Sequence, residues 1–225
     1  MAEVALIVGA GPRVGAATAR LCAAQGMRVA AATRGAPKWD VGAIGGRAYV
    51  CDAMKRDDIA RLFDSVAQEL GPPELVLFNP AARVVGPIES IDTKDAARPM
   101  AILMGAFLVA QAAAKAMVAR GSGTILFTGS SASVQGPAQQ GPVAMYKFGI
   151  RGLAQALARE LHPQNIHVGH VYVNNAIAEV DAPSPDDANA RAEDIARAFL
   201  TLHRQHRSAW AWELGVGPWS AGIVS

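Results

Sequence analysis

An apolar run, Val4-Ala-Leu-Ile-Val8, breaks into Gly9-Ala-Gly11-Pro12-Arg13-Val14-Gly15 and continues as an alanine-rich stretch to Gln25, just before Gly26. A continuous apolar run halted by glycine reads as a strand buried on both faces, and residues 16–25 as a helix that Gly26 ends. Strand, glycine turn and helix in this order bring the free N–H groups and partial positive charge of a helix N-terminus to one point, where a phosphate is well held. Gly9, Gly11 and Gly15, with Pro12, Arg13 and Val14 between them, are therefore candidate contacts to the pyrophosphate of a dinucleotide. A glycine trio alone also fits a turn that binds nothing; its place between strand and helix favours the ligand.

Outward from this unit the pattern repeats. Residues 29–32, 48–51, 75–78, 124–128 and 166–173 read as further strands, separated by helical stretches at 57–70, 93–120 and 143–161. Strands alternating with crossover helices predict a single α/β domain over residues 1–225, a Rossmann-type doubly wound parallel sheet flanked by helices on both faces. The polar segment 179–194 reads as a loop over one edge of the sheet. The tail carries Trp210, Trp212, Leu214 and Val216 in alternation, the pattern of a packed final strand, and it holds three of the four tryptophans.

Composition sets bounds on function. The chain has 225 residues, 51% hydrophobic and 18% charged, with a formal net charge of +2. That hydrophobicity excludes a disordered chain, and so small a net charge argues against a nucleic-acid partner. Few charges against the roughly 25% of an average domain also imply buried subunit contacts. Two cysteines, Cys22 and Cys51, fit a reducing, cytoplasmic setting without disulfides. The longest apolar run, 99–110, is shorter than the roughly 20 residues a membrane span needs, so no membrane association is expected. No metal-ligand cluster is evident; His203 and His206 read as solvated, His170 as a structural histidine on a buried strand, and Cys22 as packing.

The end of the second strand bears on cofactor choice. A carboxylate there receives the ribose 2′-hydroxyl of NAD, whereas an arginine accommodates the 2′-phosphate of NADP. Thr33-Arg34 stands at that point without an acid, and Arg13 lies in the glycine turn. NADP(H) is thus expected over NAD(H).

At this stage the residues resemble the short-chain dehydrogenase/reductase family along nearly the whole chain. The resemblance rests on the glycine turn 8–15, on Asp52 and Ala53 after the third strand, and on Asn79-Pro80-Ala81 after the fourth. It extends to the segment 121–130 ending at Ser130 and to the helix beginning at Lys147. It implies an NAD(P)(H)-dependent oxidoreductase acting on an unspecified carbonyl or alcohol. The implied adenine contact is Asp52, and Asn79, Pro80, Ala81 and Lys147 also face the cofactor. Ser130 would polarise the carbonyl, and Lys147 would hold the nicotinamide ribose and lower the pKa of a tyrosine four residues earlier. It further implies a homodimer or homotetramer assembled through residues 100–117 and the helix from Lys147.

The chain departs from that pattern at the chemistry. The tyrosine position is Val143, the position of the family's helix asparagine is Ile102, and the middle glycine of the turn is Arg13. The chain is similar to an atypical branch of the family, with an incomplete glycine motif, phenylalanine for the tyrosine and the lysine kept. The likeness lies in Phe127-Thr128-Gly129, in His167-Val-Gly-His170-Val and in the closing residues 202–210. Tyr146 is the candidate replacement proton donor, provided the helix starts late or its first turn is distorted. The catalytic set expected is then Ser130, Lys147 and Tyr146. The competing reading is an inactive dinucleotide-binding or subunit-interaction protein of the same fold.

Overall fold

The computed structural model describes residues 2–178 and 188–221. The strands are β1 (Val4–Val8), β2 (Arg28–Thr33), β3 (Arg47–Val50), β4 (Leu75–Phe78), β5 (Gly123–Ser130), β6 (Ile166–Val173) and β7 (Glu213–Val216). The helices are α1 (Val14–Ala24), α2 (Arg56–Glu69), α3 (Thr93–Arg120), α4 (Gly141–Leu161) and α5 (Ala192–Arg204). All seven strands are parallel, in the order β3-β2-β1-β4-β5-β6-β7. The expected doubly wound sheet is what forms.

The central strands are apolar throughout because both faces are covered. On one side α2, α3 and α4 bury Leu62, Val109 and Ile150 against Leu6, Val76 and Phe127. On the other, α1 and α5 bury Ala17, Cys22 and Phe199 against Ile7, Leu77 and Leu126. Cys22 packs as expected, and burial pushes its thiol up to about 12. Among the described residues α3 has the length and apolarity of a membrane span, exceeding the 99–110 run; its buried residues pack into the core facing the sheet.

Three details differ from the sequence reading. α4 starts at Gly141 with Pro142 in its first turn, two residues earlier than expected, because proline's fixed φ suits that position. In the tail only Glu213–Val216 is strand, and Trp219 is 84% exposed; Gly217-Pro218 ends the pairing, since proline has no N–H for the ladder. His203 is not solvated. Its α5 phase, one turn beyond Phe199, turns it inward, where Nδ1 lies 2.9 Å from Thr124 Oγ1. His206 is exposed, as expected. Of the loop expected at 179–194, residues 179–187 lie outside the described residues, and Asp194 already belongs to α5.

Candidate functional site

The chain winds outward from β1 to β3, then returns to lay β4 beside β1. Ligands bind at such a reversal, outside the carboxyl ends of the strands. A cleft of about 690 Å³ opens there, within the range of small-molecule and cofactor sites. It brings together every candidate catalytic and cofactor residue: Gly9, Gly11, Pro12, Arg13, Val14 and Gly15 from the turn, Thr33 and Arg34 after β2, and Asp52 and Ala53 after β3. Asn79, Pro80 and Ala81 follow β4, and Ser130, Tyr146 and Lys147 complete the wall.

Packing forces the turn's shape. Gly9 has φ +80°, and a Cβ there would stand 2.7 Å from Pro80 N; at Gly15 it would stand 2.6 Å from Ala10 Cα. Asn79 Nδ2 donates to Gly9 O at 2.8 Å, tying the ends of β1 and β4 together. Trp39 folds back from the loop after β2 and donates Nε1 to Ala10 O at 2.8 Å. Gly11, by contrast, has nothing within 4 Å of a Cβ position, so its backbone stays open to a ligand.

The cleft's charge is one-sided. Arg13, Arg34, Lys38, Arg98 and Lys147 line it, against Asp52 as the carboxylate among the described lining residues. Two of these cations escaped the sequence reading. Lys38 follows Arg34 in the same loop, and Arg98 precedes Ile102 by one helical turn, so loop position and i,i+4 spacing are the signals that could have found them. Arg13 reaches across the mouth to donate to Ile177 O at 3.4 Å. Cys51 is buried in the wall. Burial, then Asp58 and Asp52, push its thiol up to about 11, so it is inert at neutral pH.

At the far end, Lys147 Nζ is buried and donates to Thr128 O at 2.9 Å. Burial lowers its pKa to about 8. Ser130 and Ser133 cap one another: the Ser130 side chain accepts the Ser133 backbone N–H, and Ser133 Oγ accepts the Ser130 N–H at 3.1 Å. Val143 and Ile102 add apolar surface to the same wall.

Tyr146 does not meet the condition set for a replacement proton donor. α4 begins early rather than late, so Val143, Tyr146 and Lys147 all sit on regular helix. The Tyr146 hydroxyl is already engaged, accepting from Ala82 N–H at 3.3 Å and donating to Ala82 O at 3.2 Å. Burial raises its pKa, with the Ala82 backbone hydrogen bond acting against that. Its ring lies 5.2 Å from Lys147 Nζ, a cation–π contact.

A parallel seven-stranded sheet with a glycine-turn cleft at its switch point defines an α/β protein of the Rossmann type. The sequence pattern of the short chain dehydrogenase family matches residues 3–187, and the chain belongs to that family. The 3-oxoacyl-acyl-carrier-protein reductase MabA of Mycobacterium tuberculosis is 32% identical over 223 residues, covering 98% of this chain and 83% of MabA. The crystal structure of a short-chain dehydrogenase from Rhodopseudomonas palustris superposes with a TM-score of 0.84 at 31% identity, covering 96% of this chain and 99% of the other. A metagenomic short-chain oxidoreductase in complex with NADP gives 0.82 at 26% identity, covering 96% and 97%.

Proposed function

We propose that the chain is an NADP(H)-dependent oxidoreductase of altered proton relay, acting on a carbonyl or alcohol. The observation that carries this reading is the cationic cleft built on the glycine turn. The residues present fit the cofactor: Gly11 leaves its backbone open, and α1 points its N-terminus at the turn. The sequence at the end of β2 offers Arg34 and Lys38 where the alternative nucleotide would need a carboxylate. When bound, the nicotinamide supplies or takes up a hydride.

The chain's own groups handle the rest. Ser130, with one oxygen lone pair engaged by Ser133 N–H, keeps its hydroxyl proton to donate to a substrate oxygen. Lys147, with its pKa lowered to about 8, carries a proton at neutral pH and releases it more readily than an ordinary lysine. With Val143 and Ile102 at the positions of the family's tyrosine and asparagine, these two groups take over the proton chemistry. Tyr146 holds the Ala82 backbone instead, and so supports the wall formed by Pro80 and Ala81.

The same apolar pair, Val143 and Ile102, favours a second reading: a dinucleotide-binding protein without turnover. Calorimetric titration with NADPH and NADH separates the readings, followed by a carbonyl substrate screen. The first requires micromolar NADPH binding, weaker NADH binding and turnover. NADPH binding without turnover on any carbonyl supports the second, and binding of neither nucleotide sinks both. In Arg34→Ala, NADPH affinity should fall about tenfold, the scale of one charge-assisted phosphate contact, with NADH affinity unchanged.

A further inference from the structure

Behind the 130–133 turn lies a set of polar groups that the cleft itself does not use. His170 on β6 is wholly buried, paired in register with Phe127 of β5 and Glu213 of β7. Its Nδ1 lies 3.0 Å from Glu213 Oε1. Arg151 of α4 donates Nε and Nη2 to the two oxygens of the same carboxylate at 2.7 and 2.8 Å. Burial works to raise the Glu213 carboxyl, but Arg151 and His170 outweigh it and hold it below the ordinary value. Glu213 is therefore a carboxylate and accepts only, so Nδ1 must carry the proton and Nε2 a lone pair. Lys147 and Arg151 from α4 and the Tyr172 ring, 6.4 Å away on β6, complete the surroundings of the imidazole. Burial first, and then those cations, oppose a second proton on it.

Nε2 is buried without a hydrogen-bond partner among the described residues. An acceptor left so is costly to bury and calls for an explanation. Ser133 Oγ supplies one. A Cβ on Gly129 would lie 2.3 Å from His170 Nε2 and 2.8 Å from Ser133 Oγ, so both atoms border the same small space. A side chain at 129 would collide with both; glycine keeps that space open. Ser133 is itself wholly buried, and its oxygen already accepts the Ser130 N–H.

We propose that Glu213, His170 and Ser133 are positioning residues, a buried relay in which the Ser133 hydroxyl donates to His170 Nε2 and so fixes Ser130 as a donor into the cleft. Each link leaves the next one choice. Glu213 accepts, so His170 presents Nε2; Nε2 accepts, so Ser133 gives its proton there and keeps a lone pair for Ser130 N–H. Ser133 N–H in turn holds the Ser130 oxygen in place, and the Ser130 hydroxyl keeps its own proton to donate to an oxygen in the cleft. That this oxygen belongs to a carbonyl rests on the proposed oxidoreductase reading; the relay does not.

The test is nitrogen–proton NMR of the histidine rings and of the Ser130 amide in the full chain at pH 7, comparing wild type, Ser133→Ala and Ser133→Thr. Circular dichroism checks each fold. Wild type should show Nδ1 protonated and Nε2 as a hydrogen-bonded acceptor. In Ser133→Ala the Nε2 signal should move to that of a free lone pair and the Ser130 amide proton upfield, with the Nδ1 proton unmoved; Ser133→Thr should match wild type. A protonated Nε2 in wild type overturns the relay, as does a Ser133→Ala variant in which both signals stay put. Where a carbonyl substrate is turned over, Ser133→Ala should lower kcat by about tenfold, the scale of one hydrogen bond, with NADPH affinity kept. Unchanged kcat with weakened NADPH binding would overturn the positioning role. An intact NMR signature in a chain that turns over nothing would count against the oxidoreductase reading and leave the relay standing.

Discussion

At the scale of single residues, the cleft's members were legible in the sequence because they belong to short local motifs. The turn 9–15, Thr33-Arg34, Asp52 and Asn79-Pro80-Ala81 each follow a strand, and parallel strands in one sheet bring their carboxyl ends together. What each side chain does there was less legible, since its partners come from other elements. Lys147 shows this: its bond to Thr128 O spans 19 positions, and its burial sets its pKa. Tyr146 shows it more sharply. Its role was tied to a late or distorted start of α4, and with Pro142 in the first turn the helix starts early, at Gly141. The hydroxyl instead holds both backbone polar groups of Ala82. Tyr146→Phe should therefore lower unfolding free energy by about 1–2 kcal/mol, read by urea denaturation, because Ala82 loses its partner. Turnover on any carbonyl substrate should persist in this variant. Its loss, at unchanged stability, would return Tyr146 to the role of proton donor.

Between elements, what the sequence concealed is how α5 closes the second face of the sheet. A histidine near a helix end looks solvated until the helical phase is followed from Phe199 to His203, which then meets Thr124 of β5. His203 also stands 3.8 Å from Glu3, which Arg204 engages at 2.6 Å. Burial, with Arg204 acting in the same direction, lowers the His203 pKa to about 4, and burial does the same to His170. In the unfolded chain both rings take up a proton below their ordinary 6.5. Between pH 6.5 and 4 the unfolded state thus binds more protons, and stability falls as pH falls across that window. Each ring contributes up to about 1.4 kcal/mol per pH unit. The melting temperature should therefore be level above pH 7 and decline from pH 6.5 to 4.5, with a shallower decline in His203→Gln. An equally steep decline in that variant would show that other groups govern acid sensitivity.

For the molecule as a whole, the order of strands and helices was legible because apolar runs and glycine stops alternate so regularly, and an all-parallel sheet leaves little choice of winding. On the surface the family resemblance points to residues 100–117 and the helix from Lys147, and there α3 and α4 leave apolar side chains exposed. Phe107 and Val118 of α3 and Phe148 of α4 are between 42% and 45% exposed, and Met104 and Met145 more so. Between the two helices runs a groove lined by Ala114, Val118, Leu153 and Leu157, with Lys115 and Glu160 among its charged residues. A contiguous apolar face of this kind, edged by both signs of charge, suits a second copy of the same surface across a two-fold axis, where each chain offers the other an opposite charge. Pairing two such faces would take these side chains out of water, which favours association. Sedimentation equilibrium at micromolar concentration should accordingly give at least twice the 23.4 kDa chain mass. Phe107→Asp, which sets a charge in the middle of the face and touches nothing in the cleft, should shift the population to monomer while NADPH affinity holds. A wild-type chain that sediments only at 23.4 kDa would leave the face without this partner.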